Sequence, residues 1–179
     1  MDNVKYLAPI SGFFLVTLLT EIAGAIPPPP PPPPPPHVEM TGPRFGGGGG
    51  SVSEIRCPYV YGFFGGTGTY LDRVGFKCYI DGTTAWDTAT YGGGGGSRFE
   101  FYCPAGFHAT GVFGRSGYYV DSLGLRCTND AGQILNSPQT GGPGGTFFSW
   151  DCPTDFIIIG LLVNSGGRVD AITPICGKY

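Results

Sequence analysis

The chain has 179 residues, of which 33 are glycine and 18 are proline, and only 13% of its residues are charged. Its formal net charge is −3, and no basic stripe alternates with aromatic side chains, which argues against a nucleic-acid-binding protein. No segment shows sustained helical periodicity or helix caps, so the many glycines and prolines predict an all-β protein.

The amino-terminal segment 1–25 has the pattern of a secretory signal peptide. Lys5 gives a weakly basic start, Leu7–Leu19 is mostly apolar, and Ala23–Ala25 fits a small-residue cleavage site. The alternative is a membrane anchor, but the apolar run is shorter than the ~20 residues that span a bilayer. Pro9 and Gly12 also interrupt it. We therefore predict a signal peptide at 1–25, a secreted protein, and no membrane insertion after cleavage.

An unbroken run of ten prolines, Pro27–Pro36, follows the predicted signal peptide. Such a run lacks N–H donors and adopts polyproline II at about 3.1 Å per residue, which gives a stiff arm of about 30 Å. No neighbouring residues support a ligand for proline-binding grooves or a carrier of hydroxyproline glycans. The sequence therefore favours a polyproline spacer over residues 26–40.

Residues 41–179 are predicted to form one domain that repeats three times at a step of 49 residues. The repeats span approximately 45–90, 91–139 and 140–179. Each begins with a glycine run: Gly46–Gly50, Gly92–Gly96, or Gly141–Gly145 with Pro143 inside it. Three sets of identical residues recur at this spacing, one residue in each repeat. They are Asp72, Asp121 and Asp170; Cys78, Cys127 and Cys176; and Gly62, Gly111 and Gly160.

Each repeat is predicted to contain about four strands. In the second repeat, Ser97–Cys103 alternates apolar and polar residues, which is typical of a half-buried strand. A Cys-Pro dipeptide follows, and its proline should end the strand. A second strand is predicted over Ala109–Phe113 (Phe156–Val163 in the third repeat), a third over Val120–Cys127, and a fourth before the next glycine run.

Three units of four strands predict three small sheets around an axis, because one such unit cannot bury its apolar face alone. The third repeat is too short for its last strand, since only Gly177–Tyr179 follow Cys176. Val38–Phe45 lies just ahead of the first glycine run, in the register that Thr84–Tyr91 holds before the second. We therefore expect this segment to supply the missing strand and close the ring, which leaves fewer exposed edges.

The six cysteines fall two to a repeat, which predicts a disulfide framework in an oxidising compartment. Six cysteines allow 15 pairings, and the repeat symmetry favours one bridge within each unit. No Cys-x-x-Cys spacing or Cys/His cluster indicates a metal site, and nothing indicates a cofactor. The predicted bridges are Cys57–Cys78, Cys103–Cys127 and Cys152–Cys176.

Each repeat also contains a Gly-x-x-x-Asp turn, which ends at Asp72, Asp121 or Asp170. One interpretation is structural, with the carboxylate accepting N–H bonds of its own loop. The glycine runs favour a binding site instead, because bare backbone N–H groups can be approached closely by a ligand. A carboxylate beside such amides offers the acceptor and donors that adjacent sugar hydroxyls require. Tyr70 and Tyr119 would add ring faces against which a pyranose can pack.

The three-repeat layout, the Gly-x-x-x-Asp turns and the glycine runs resemble those of jacalin-related lectins over roughly residues 41–176. The resemblance implies an all-β fold, a β-prism of three four-stranded Greek-key-like sheets with a pseudo-threefold internal repeat. In motif layout the chain is most similar to mannose-binding members with three sites. The implied function is a secreted lectin for mannose-type glycans with up to three metal-independent sites.

By this resemblance each Asp carboxylate accepts bonds from two sugar hydroxyls, and backbone amides of its turn donate to the sugar. Each turn works with the glycine run that starts the following repeat. The implied pairs are Asp72 with Gly96, Asp121 with Gly145, and Asp170 with Gly50. The predicted carbohydrate-binding residues are Gly50, Gly68, Thr69, Tyr70, Asp72, Gly96, Gly117, Tyr118, Tyr119, Asp121, Gly145, Gly166, Gly167, Arg168 and Asp170.

The chain departs from the family pattern in several places. Its repeats are longer than is usual, and each carries a cysteine pair. Arg168 stands where the pattern has an aromatic residue, so the third site is expected to lack a ring for stacking. Pro143 interrupts the third glycine run, so the second site is expected to lose an amide donor.

Two other functional classes compete with a lectin. An enzyme would need paired carboxylates or a carboxylate and a histidine in one cleft, yet His37 lies in the arm and His108 occurs in one repeat only. We therefore predict no catalytic activity. The stronger alternative is a structural or fibre-forming matrix protein, extracellular or at the cell surface, that does not bind sugars and in which the Asp turns are purely structural. The predicted partners are glycans or glycoproteins, and self-association is left open.

Overall fold

The computed structural model of the protein describes residues 38–80 and 84–178. The predicted signal peptide and Pro27–Pro36 lie outside the described residues. All helix or strand structure within the described ranges is β-strand. Those ranges contain no helix that is long and apolar enough to cross a membrane.

The fifteen strands form three kinds of unit, and each unit occurs three times. The units are a single opening strand, a pair of long hairpin strands and a pair of short edge strands. The strands that open a repeat are β3 (Ser51–Arg56), β8 (Ser97–Tyr102) and β13 (Thr146–Asp151). The long central hairpins are β4 (Tyr59–Thr67) with β5 (Leu71–Tyr79), β9 (Phe107–Ser116) with β10 (Val120–Asn129), and β14 (Phe156–Ser165) with β15 (Val169–Lys178). The short edge strands are β1 (Glu39–Thr41) and β2 (Phe45–Gly46), β6 (Ala85–Asp87) and β7 (Tyr91–Gly92), and β11 (Ile134–Asn136) and β12 (Thr140–Gly141).

These strands form three antiparallel sheets, which confirms the predicted architecture. The predicted fourth strand of each unit is interrupted, and both of its short pieces pair with the same side of the central hairpin. The Cys-Pro dipeptides follow directly on the ends of β3, β8 and β13, as the missing proline donor predicts.

The strand that opens each repeat belongs to the sheet of the repeat before it. β8 pairs with β4, β13 pairs with β9, and β3 pairs with β14. Each sheet is therefore shared between two consecutive repeats, a connection that the expectation of one sheet for each repeat missed. The exchange ties every repeat to its neighbour through main-chain hydrogen bonds.

The ring closes through the amino-terminal strands, as the truncated third repeat predicts. β1 and β2 pair with β15, and the registers include Glu39 opposite Gly177 and Gly46 opposite Ala171. The strand β1 starts at Glu39, so the folded region begins before the domain boundary predicted at residue 41. The third sheet therefore combines β14 and β15, from the end of the chain, with β1, β2 and β3, which come from the start of the folded region.

The core repeats with the same step of 49 residues as the sequence. Nine of its side chains come from the inward faces of the three central hairpins, and each of the nine is no more than 2% exposed. Burying apolar surface of this kind stabilises a fold by roughly 25 cal/mol per Å². The equivalent sets are Phe63, Val112 and Leu161; Leu71, Val120 and Val169; and Val74, Leu123 and Ile172.

Three disulfides join the two cysteines of each repeat, and they are the pairs that the repeat symmetry predicts. They link Cys57 to Cys78, Cys103 to Cys127 and Cys152 to Cys176. The sequence separations are 21, 24 and 24 residues. By loop-closure entropy each bridge contributes about 3 kcal/mol, and each ties the end of an opening strand to a central hairpin.

Candidate functional site

The three Gly-x-x-x-Asp turns connect the strands of the central hairpins and have the same hydrogen bond. The first glycine donates its N–H to the carbonyl two residues later, at distances of 2.8 to 3.0 Å. The Asp is the second residue of the strand that follows, at the start of β5, β10 or β15. The turns therefore place the three carboxylates equivalently, at the same end of each hairpin.

Each glycine run packs on the acidic turn of the preceding repeat around the ring. Its second glycine donates a hydrogen bond to the main-chain carbonyl of the Asp. The distances are 2.8 Å from Gly93 to Asp72, 2.9 Å from Gly142 to Asp121 and 2.9 Å from Gly47 to Asp170. The structure thus brings together the same three pairs of turn and glycine run that the family resemblance implies.

The fifth residue of each run must be glycine for two reasons. Its φ angle lies in the left-handed region, at 72° for Gly50, 77° for Gly96 and 67° for Gly145. A Cβ at these positions would lie 2.6, 2.5 and 2.4 Å from Oδ2 of the paired aspartate. The backbone of the run therefore lies directly against the carboxylate.

The middle position of a run is open, in contrast to the fifth. A Cβ at Gly48 or Gly94 would meet no atom within 4 Å. Pro143 occupies the equivalent position in the third run, so its ring is accommodated without a clash. Its missing N–H removes one donor from that run, as the sequence predicts.

The three carboxylates differ in exposure. Asp121 and Asp170 are buried, at 6% and 9% exposure, whereas Asp72 is half-buried. Burial raises the pKa of Asp121, and the nearby Arg115 partly opposes this shift. The Asp121 carboxyl lines a shallow depression of about 230 Å³ together with Tyr70, Tyr118, Tyr119 and two glycines.

The middle residues of the three turns meet one another. The Tyr70 and Tyr119 rings are 5.3 Å apart in an edge-to-face arrangement. The Arg168 guanidinium lies 4.5 Å from the Tyr70 ring centroid and 4.8 Å from that of Tyr119, within the range of cation–π attraction. The tyrosines were expected to offer free faces to a sugar, but one face of each is taken up by this contact with Arg168.

The same arrangement changes what Arg168 and Tyr118 contribute. Arg168 does not only replace the aromatic residue expected at this position. Its guanidinium also makes cation–π contacts with the rings of Tyr70 and Tyr119. Tyr118 lies at the rim of the Asp121 depression and is 90% exposed. Tyr70, from the first repeat, and Gly145, from the third, also line this depression, so the second site is built from all three repeats.

Contacts around the ring link the three sites. The second glycine of each run also contacts a second acidic turn, other than the one to which its N–H donates. A Cβ added at Gly142 would lie 2.1 Å from the carbonyl oxygen of Thr69, and one added at Gly47 would lie 2.3 Å from that of Tyr118. A Cβ added at Gly93 would likewise lie 1.9 Å from the carbonyl oxygen of Gly167. Each glycine run therefore lies between two acidic turns, and all three sites occupy one end of the domain.

Three arginines hold the glycine runs by their carbonyl oxygens. Arg73 donates to Gly95 at 2.7 Å, Arg115 donates to Gly144 at 2.9 Å and to Gly145 at 2.8 Å, and Arg44 donates to Gly47. A run of five glycines is otherwise entropically costly to order. The sequence carries no periodic signal for these arginines, because they occupy three different positions in the repeat.

No group of three or more His, Cys, Asp or Glu side chains that could hold a metal ion occurs in residues 38–80 and 84–178. The chemistry of the site itself consists of carboxylate acceptors, main-chain amides and tyrosine side chains. These are the groups with which a protein binds a neutral ligand rich in hydroxyls.

The fold matches solved lectin structures, although no protein-family model and no curated protein sequence matches the chain. Malaysian banana lectin aligns with a TM-score of 0.65 at 20% identity, over 79% of this chain and 100% of that one. A mannose-binding jacalin-related lectin from Ananas comosus aligns with 0.64 at 19% identity, over 80% and 99%. Calsepa lectin in complex with a biantennary N-glycan aligns with 0.65 at 19% identity, over 79% and 98%.

These alignments cover about four fifths of this chain and nearly the whole of each solved structure. Within its described residues, this chain consists of three antiparallel sheets joined in a closed ring. The chain therefore has the β-prism fold of the jacalin-related lectins.

Proposed function

We propose that this chain is a secreted lectin that binds mannose-type glycans at three metal-independent sites. The observation that carries the proposal is the repeated contact between an aspartate carboxylate and the fifth glycine of a run. This contact occurs in all three repeats and at one end of the domain. If the aspartate only stabilised its own turn, the fold would not require a run of glycines, which have no side chains, beside the carboxylate.

The carboxylate and the amides would divide the binding of one sugar between them. The ionised carboxylate accepts hydrogen bonds from two adjacent hydroxyls, and backbone N–H groups of the turn donate to sugar oxygens. At the second site, Tyr118 offers an exposed ring to the apolar face of a pyranose. The arginines that hold the glycine runs reduce the entropy lost when a ligand binds.

A single site of this kind binds weakly, because the ligand exchanges hydrogen bonds to water for similar bonds to protein. Three sites at one end of a domain can engage the branches of one glycan or neighbouring glycans on a surface. Effective concentration then raises avidity by ~10²–10⁴ over one site. The partners that fit are therefore branched or clustered glycans.

Retention on a mannose column tests the proposal. The chain should bind the column, elute with free methyl mannoside and remain bound in EDTA. A chain that passes through mannose and mixed-glycan columns, with its fold intact, would support a structural matrix protein instead. Elution by EDTA alone would contradict the metal-independent mechanism.

The raised pKa of Asp121 predicts how its site responds to acid. Burial, the main cause, favours the protonated carboxyl, so this site should lose its acceptor at a pH above the ordinary aspartate range near ~3.9. An Asp72→Asn/Asp170→Asn variant retains this site alone, and NMR titration with methyl mannoside should show binding weaken as the pH approaches that range from above. Constant affinity down to a pH of ~4 would contradict the assignment of Asp121 as the acceptor.

A further inference from the structure

Three equivalent cavities lie at the end of the domain opposite the acidic turns, one on each sheet. Each is bounded by the open end of a central hairpin and by the Cys-Pro segment that follows the opening strand of the same sheet. Their volumes are about 440 Å³ on the first sheet, 510 Å³ on the second and 390 Å³ on the third. All three are within the range of ~300–1,000 Å³ that is typical of small-molecule sites.

The three cavities share a scaffold but differ in their side chains. Residues related by the step of 49 line all three of them. They are Tyr61 and Tyr79 in the first cavity, Thr110 and Thr128 in the second, and Ile159 and Gly177 in the third. The fold therefore does not require polar side chains at these positions, and the polar lining of the second cavity needs another explanation.

An aspartate that lines the second cavity occupies a backbone position that favours glycine. Asp155 has a φ of 65° and is the one non-glycine residue with a positive φ in residues 38–80 and 84–178. The equivalent residue of the preceding Cys-Pro segment is Gly106, whose φ is 79°. Aspartate adopts this region less readily than glycine does. Asp155 is exposed, and within the same residues its carboxylate has no ion pair or hydrogen-bond donor. Its carboxylate is therefore an acceptor that the fold itself does not use.

Arg126 supplies hydrogen-bond donors to the same cavity. Its guanidinium donates to the Asp151 carboxylate, to Asn136 Oδ1 at 3.1 Å and to Ser149 Oγ at 3.2 Å. These bonds fix the side chain, which is 20% exposed, and they use three of the five N–H groups of an arginine. The other two N–H groups have no protein partner in the part of the chain that the structure describes. Because the ion pair with Asp151 balances the charge of Arg126, these donors favour a neutral acceptor over an anion.

An apolar side chain lies beside these polar groups. Ile134 pairs with Thr128 across neighbouring strands, and Arg126 lies two residues before Thr128. The three side chains are therefore on one face of the sheet. Ile134 is 63% exposed although it lines the cavity, and the half-buried Phe156 adds further apolar surface. The cavity thus brings donors, an acceptor and an aliphatic surface together.

We propose that the second cavity binds a sugar that carries an N-acetyl group. The acetamido carbonyl accepts hydrogen bonds from the free N–H groups of Arg126, and its N–H donates to the Asp155 carboxylate. The acetamido methyl group packs against Ile134. A sugar with a hydroxyl group in place of the acetamido group lacks both the carbonyl and the methyl, so it leaves Ile134 and the guanidinium uncovered.

This site is separate from the acidic turns in both position and chemistry. In the second sheet, for example, the strand register places the acidic turn beside Ser116 and Val120, whereas the cavity lies near Phe107 and Asn129. A sugar in the cavity and sugars at the turns therefore face opposite directions, and a chain that binds both can bridge two glycans. The two sets of sites share no residue, so the cavity does not depend on the proposed lectin activity of the turns.

NMR of side-chain methyl signals tests this proposal, in a chain whose three acidic-turn aspartates are replaced by asparagine. The probes are methyl N-acetylglucosaminide and methyl N-acetylgalactosaminide at ~20 mM, above the ~1 mM dissociation constant of a weak single site. At least one of them should shift the signals of Ile134 and Thr128, whereas that of Thr69, in the first acidic turn, should not move. Methyl glucoside and methyl galactoside, the matched controls without the acetamido group, should bind at least ~10-fold more weakly.

Two substitutions that the scaffold itself carries elsewhere test the contacts. Asp155→Gly places there the residue found at Gly106, and Ile134→Ala places there the residue found at Ala85. Both residues are exposed, so the fold should be retained. Followed by the Thr128 signal, Asp155→Gly should weaken binding of the N-acetyl sugar at least ~10-fold, because the acceptor is lost. Ile134→Ala should weaken it ~4-fold by removing the contact with the methyl group, and should change the binding of the matched hexoside less than ~2-fold.

Three results would overturn the proposal. If neither N-acetyl sugar shifts the Ile134 and Thr128 signals, the cavity does not bind them, and a shift with the diamine putrescine instead would assign it to organic cations. Equal affinity for the N-acetyl sugars and the matched hexosides would show that the acetamido group is not recognised. Shifts of the Thr128 signal that persist unchanged in both Asp155→Gly and Ile134→Ala would place the sugar on another surface.

Discussion

Asp72→Asn, Asp121→Asn and Asp170→Asn together should abolish retention on a mannose column while the protein remains folded. Asparagine has nearly the shape of aspartate but lacks the charge, and a hydrogen bond to a charged group contributes about 1.5–3 kcal/mol. Each site should therefore lose at least ~10-fold in affinity. Asp72→Asn/Asp121→Asn should already reduce binding to a glycan-coated surface by ~10² or more, because avidity depends on simultaneous engagement of several sites.

The control for this experiment is Asp130→Asn. The Asp130 side chain is 88% exposed and follows β10 at the end remote from the acidic turns. Its replacement makes the same chemical change to one carboxylate without touching a candidate site. Equal retention of the triple variant and the Asp130→Asn control would refute the assignment of the three aspartates.

Gly96→Ala should abolish binding at the first site, whereas Gly94→Ala should leave it nearly unchanged. The new Cβ at position 96 would lie 2.5 Å from Asp72 Oδ2, and the residue has a φ of 77° that disfavours a side chain. The carboxylate or the glycine run must then move. At position 94 the new methyl group meets no atom within 4 Å.

The pair is best compared in an Asp121→Asn/Asp170→Asn chain, which retains the first site alone. Calorimetry with a mannose oligosaccharide should show a loss of at least ~10-fold for Gly96→Ala, equivalent to ~1.4 kcal/mol, and a change within ~2-fold for Gly94→Ala. If both substitutions weakened binding equally, flexibility of the run rather than its contact with the carboxylate would control the affinity. If neither did, the run would not be part of the site.

The arrangement of acidic turns and glycine runs could be inferred from the sequence because it repeats. The step of 49 residues related the three aspartates and the three runs, and the truncated third repeat indicated that the amino-terminal segment closes the ring. The alternation in Ser97–Cys103 correctly distinguished the half-buried face of β8 from its exposed face.

The partners of these elements could not be inferred in the same way. Alternation shows which face of a strand is buried but not which strand it pairs with, so the exchange of β3, β8 and β13 between repeats was missed. The turn sequences did not show that Tyr70, Tyr119 and Arg168 contact one another, because that contact requires three turns from distant parts of the chain. The arginines that hold the glycine runs follow no common position and leave no periodic signal.

A crystal structure of the protein with methyl mannoside bound would test the sugar-binding assignment most directly. We predict a sugar in the depression beside Tyr118, with two hydroxyls donating to the Asp121 carboxylate and backbone amides of its turn donating to sugar oxygens. A pyranose bound only at another surface, with the acidic turns and glycine runs free of ligand, would contradict it.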